Sequence, residues 1–156
     1  MTLEQYRIQK DGGKVQVEFD EADTFKAVGD EAPHFNNAIG MIVRGLLKPY
    51  LFQWTDQSKE DRECIWPRIN NQFELKDSVE IRASVERQAR KSLAEWKHDL
   101  HTHWKNMVDE HGEEAAKNLR HHSCDLETWE RYITHIHSER FEVKLIVFSF
   151  YNFSFC

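Results

Sequence analysis

The chain has 156 residues and a formal net charge of −6, with 40% hydrophobic and 31% charged side chains. That length suits one domain with a modest core and is short for two, and the acidic balance excludes general electrostatic adhesion to nucleic acid. Cys64, Cys124 and Cys156 show no paired spacing, and the start lacks the apolar run of a signal peptide, so a reducing compartment, nucleus or cytosol, is expected.

Residues 1–37 contain "DGG", Pro33 and most of the acidic excess, with four Lys/Arg against eight Asp/Glu in residues 1–35. They read as a flexible acidic arm, in which "KVQVEF" (14–19) alternates enough for a short strand. "IGMIVRGLLKPYL" (39–51) then turns apolar and opens a helical domain expected over 38–140. This stretch is a short helix or an extended docking segment that Pro49 stops near Leu47 or Lys48. Ser58 with Asp61 three residues on reads as an N-cap, and Ile65, Ile69 and Phe73 recur as a buried helical stripe. Pro67 interrupts that stripe, either as a kink or in the first turn of a second helix.

The strongest element spans 78–110, with Ser78 as its cap and Gly112 in the left-handed position that ends it. Val85, Ala89, Leu93, Trp96, Leu100, Trp104 and Met107 lie within about 60° of Leu100 on a helical wheel and form one apolar face. A short helix is expected over 113–120. Asp125 caps a last one, in which Trp129, Tyr132, Ile133 and Ile136 share a face. The fold class is therefore mainly α: a bundle of three to four helices around one long helix, with short strands at the two ends. The five tryptophans follow the apolar stripes and read as core anchors.

The tail 141–156 contains "LIVFSFYNFSFC", nine of whose twelve residues are apolar or aromatic. As a helix it covers about 18 Å, short of a bilayer core of about 30 Å, so no membrane is expected as a partner. Its β-propensity without proline or charge predicts either pairing with "KVQVEF" or self-association.

Polar residues of the long helix segregate too. Arg87, Arg90, Lys91, Lys97, His98, His101 and Lys105 lie between about +60° and 180° on the same wheel. Such a stripe is a candidate nucleic-acid face, since five Lys/Arg can neutralise several phosphates of duplex DNA. The competing reading is a solvated flank paired to acidic neighbours. His98, His101, His121, His122 and Cys124 fall short of the close ligand pairs that zinc requires, so no metal or other cofactor is expected. No Gly-rich phosphate loop, nucleophile elbow or H-E-x-x-H occurs, and no catalytic residue is assigned.

The order of these features, from "IGMIVRGLLKPY" through "IWPRINNQF" and "ERQARKSLAEWKHDL" to "ETWERYI", resembles the plant transposase family of the Ptta/En/Spm type over about residues 39–137. Trp54, Trp66, Ile69, Phe73, Arg90, Trp96, Lys97, Leu100 and Trp129 stand at that family's anchor places. The resemblance implies a nuclear, transposon-derived protein whose helical domain contacts DNA or related proteins without the catalytic domain of a transposase. Pro67, the stretch before Trp129 without prolines, and the apolar tail after Arg140 depart from the family pattern, and the tail implies a shortened reading frame. Two functions compete: a DNA-binding or regulatory protein using the basic helix face, and a helical protein–protein interaction module.

Overall fold

Helices carry most of the described residues, 13–138 and Phe141, of the computed structural model. Residues 1–12 of the expected arm and the apolar tail beyond Phe141 lie outside the described residues. The mainly α class holds. Among the described residues no helix is long and apolar enough to cross a membrane.

Residues 13–37 are not the flexible arm that their charge predicts. Val15–Gln16 (β1) pairs in parallel with Phe73–Glu74 (β4), and Glu18–Asp20 (β2) pairs antiparallel with Lys26–Val28 (β3). Val15 is buried, and the Phe19, Phe35 and Phe73 rings meet edge to face with centroids 5.5 and 5.3 Å apart. Apolar contact of this kind outweighs the electrostatic preference of a short acidic segment for solvent. The described partners of "KVQVEF" are thus β3 and β4.

Ala32–Leu46 (α1) begins earlier than the apolar run suggests, with Pro33 in its first turn, and ends at Leu47 in extended backbone two residues before Pro49. Ser58 caps Lys59–Glu63 (α2), its Oγ accepting from the Asp61 N–H at 3.0 Å. Ile65–Asn70 (α3) holds Pro67 in its first turn, where the missing N–H has no intrahelical acceptor to lose. Phe73 is buried as the stripe requires, but in strand β4, because the chain turns after Asn70.

Val79–His111 (α4) is the long helix, with the Ser78 hydroxyl accepting from the Ile81 N–H at 3.2 Å. Val85, Ala89, Leu93, Trp96, Leu100 and Trp104 are all buried, and Met107 is half-buried. At about 1.5 Å per residue α4 is about 50 Å long, more than one small core can cover. Among the described residues two compact units result where one domain over 38–140 is expected: residues 13–47 with Trp54–Lys97, and Lys48–Gln53 with residues 98–138 and Phe141.

In the second unit the expected helix over 113–120 is only Glu113–Ala116 (α5). Past Ala116 the ladder tightens to turns, the Asn118 N–H donating to Ala115 and the Leu119 N–H to Ala116, while Trp129 Nε1 donates to the Lys117 carbonyl at 3.1 Å and His103 Nε2 to that of Leu119 at 2.7 Å. Asp125 caps Leu126–Ile136 (α6), accepting from the Thr128 N–H at 2.7 Å. Trp129, Tyr132, Ile133 and Ile136 are buried as the spacing predicts.

Candidate nucleic-acid face and tryptophan groove

None of the seven residues expected on the basic stripe lies in the core, and α4 runs unbroken past all of them. In the first unit Arg87, Arg90 and Lys91 are exposed and Lys97 is half-buried. In the second, His98 and Lys105 are exposed. His101 stands apart from that set: it is half-buried, its Nδ1 is enclosed without a hydrogen-bond partner among the described residues, and the Phe141 ring lies 5.7 Å away. Burial, then the charges of Lys105 and His98, hold its pKa below the ordinary histidine value.

Several of these cations have intramolecular partners. Arg90 Nη2 lies 2.8 Å from Glu86, and its guanidinium sits 5.1 Å from the Trp54 ring centroid. Lys91 lies 3.8 Å from Glu95. Across α4 six Lys/Arg face six Asp/Glu, so the helix as a whole is neutral and only its cationic flank can attract phosphate. Both ion pairs are exposed and therefore weak, each worth about 0–1 kcal/mol.

Arg87 has a structural task. The β2–β3 connection places two consecutive non-glycine residues, Thr24 and Phe25, in the left-handed region at φ 56° and 54°. Side chains of α4 hold both carbonyls: Arg87 Nη2 donates to Thr24, and the Ser84 hydroxyl donates to Phe25 at 2.6 Å. Such a turn costs about 1–2 kcal/mol per residue for L side chains, and these bonds offset part of it.

Trp96, Trp104 and Trp129 are buried anchors, but Trp54 and Trp66 are only half-buried. They line a groove of about 540 Å³ in the first unit with Lys59, Arg62, Glu63, Ile65, Arg82, Val85 and Glu86. Arg82 lies 4.5 Å from the Trp66 ring centroid and forms a two-point pair with Asp77 at 2.6 and 3.0 Å. That bond holds the Asp77 carboxyl below its ordinary pKa. The sequence signal for the groove is the arginine that each of these two indoles carries, which becomes visible only once the helices pack.

The histidines cluster only in part: His103 packs on His121 with ring centroids 5.2 Å apart. Among the described residues no group of three or more His, Cys, Asp or Glu side chains is placed to hold a metal ion. His121 turns its Nδ1 to the Ser123 hydroxyl at 2.7 Å and packs on His122 with centroids 4.2 Å apart. Cys124 is buried, which pushes its thiol pKa up.

Comparison with protein-family models, with curated proteins and with solved structures finds no significant match.

Proposed function

We propose that this chain is a non-catalytic, transposon-derived DNA-binding or regulatory protein that contacts backbone phosphates through the cationic flank of α4, acting in the nucleus. The observation that carries the reading is the continuity of that flank: Arg87, Arg90, Lys91 and Lys97 recur on one unbroken helix, outside the core. The ion pairs they make are exposed, so a phosphate can replace Glu86 or Glu95 at small cost. The net charge of −6 predicts modest affinity that falls steeply with salt. A salt-titrated binding measurement of the whole chain on duplex DNA tests it. The double variant Arg90→Ala/Lys97→Ala is expected to bind more weakly and to flatten the salt slope by roughly two contacts, with helical content unchanged. Unaltered binding and slope in that variant would sink the phosphate-contact reading.

A second reading, a helical protein–protein interaction module, is favoured by a different observation. Arg87, Arg90 and Lys91 already have intramolecular partners, while the first unit presents a groove with two half-buried indoles.

A further inference from the structure

The tryptophan groove and the cationic flank of α4 share a residue. Arg90 belongs to the flank, yet its guanidinium sits 5.1 Å from the Trp54 ring centroid and pairs with Glu86, and both Trp54 and Glu86 line the groove. Glu86 stands about one helical turn before Arg90 on α4, some 5–6 Å along the axis. A strand whose phosphate reaches Arg90 or Lys91 is therefore already at the groove's edge.

The lining says which part of that strand enters. Trp54 is half-buried with its Nε1 enclosed, so the surface its indole leaves open is carbon. Trp66 is likewise half-buried, beneath the Arg82 guanidinium at 4.5 Å. Both arginines keep about half of their side-chain surface open, 51% for Arg82 and 53% for Arg90. Each wall of the groove thus carries an indole topped by a planar cation, and both kinds of plane are ones on which nucleobases stack. Glu63 and Glu86 on the lining oppose a phosphate inside the groove, whereas a base is uncharged. The volume of about 540 Å³ falls within the roughly 300–1,000 Å³ of ligand pockets. In a duplex the base faces are stacked on their neighbours and only their edges are offered. We infer that the groove is a stacking site for unpaired bases of single-stranded DNA whose phosphates lie along Arg90 and Lys91, with Trp66–Arg82 and Trp54–Arg90 as its two platforms. This rests on the phosphate-contact reading and adds to it the form of DNA that is bound.

The test uses the full chain and three short labelled probes at matched salt: oligo-dT, a strand of equal length built of abasic nucleotides, and the blunt dT·dA duplex. Oligo-dT and the abasic strand carry the same phosphates, so their ratio reads the bases alone. Oligo-dT is expected to bind roughly fivefold or more tightly than the abasic strand, the size of one base stacked on an aromatic ring. Trp66→Leu is expected to erase that ratio while leaving duplex affinity and its salt slope unchanged. The inference is overturned, with the phosphate reading intact, if the duplex binds but oligo-dT is no tighter than the abasic strand, or if a folded Trp66→Leu protein discriminates like the parent. If no probe binds, the phosphate reading falls and takes this one with it, and the groove returns to the protein-interaction module. A second measurement needs no variant: 5-iododeoxyuridine placed in the strand and irradiated is expected to crosslink to Trp54 or Trp66. Crosslinks only outside the groove, or none, overturn the inference whether or not Trp66→Leu folds.

Discussion

His101 shows how far a residue's surroundings can depart from its place on a wheel. By sequence it belongs with the basic stripe, yet its ring is half-buried beside Phe141, with Lys105 and His98 as its charged neighbours and Nδ1 enclosed. Burial disfavours the imidazolium, so the folded state releases the proton at lower pH than the unfolded chain does. The sign follows from linkage. Between the depressed folded pKa and the unfolded value of about 6.5, the unfolded state binds more protons, so stability is full above that value and falls as the solution is acidified through the window. His101→Phe removes this term. Urea unfolding at a series of pH values is expected to show a shallower acid loss for the variant than for the parent, and parallel curves would mean that the ring is solvated. No feature of "HDLHTHW" discloses this, because exposure on that flank is set by what folds against it from elsewhere in the chain.

At the level of elements, the legible features are those whose partners lie within about four residues. The Ser58, Ser78 and Asp125 caps stand where side-chain chemistry and spacing place them. Pro67 resolves into the first turn of α3 for the same local reason. Gly112 is a sharper case. It ends α4 with positive φ, as expected, but at φ 83° and ψ 161° it lies in a region essentially restricted to glycine and not in the left-handed helical well. A Cβ at Gly112 would meet nothing within 4 Å. Gly112→Ala is therefore expected to lose about 1–3 kcal/mol of stability through backbone strain alone. A melting temperature equal to the parent's would show that the α4–α5 junction relaxes freely. The short α5, by contrast, is illegible, because the Trp129 indole and the His103 ring that hold the Lys117 and Leu119 carbonyls beyond it each come from more than ten residues away.

For the whole molecule, the missing information is tertiary. The acidic composition of residues 13–37 predicts an arm, and nothing local reports that Val15 will find Phe73 or that Phe35 will sit between two other rings. The candidate site divides the same way. The cationic stripe was visible in the periodicity of α4, whereas the groove needs Trp54, α2, α3 and α4 to converge, and its signature is two indoles carrying arginines, which no periodicity encodes. The apolar stripes also place Trp54 and Trp66 with the core anchors, since an indole on such a stripe looks the same whether it is covered by aliphatic groups or by a guanidinium.

The parallel pairing of β1 with β4 joins positions 58 residues apart, as in the Gln16–Glu74 side-chain bond. Closing a loop of that length costs chain entropy that two short strands cannot recover until the intervening helices are in place. The pairing therefore belongs to the late side of the folding barrier. Val15→Ala is expected to accelerate unfolding while leaving the refolding rate within about a factor of two, a low φ-value, whereas a mutation that slows refolding in proportion to its destabilisation would place the pair in the nucleus. In kinetic terms, residues 13–20 act as a latch: they contribute little to finding the fold and much to how slowly the first unit lets go of it.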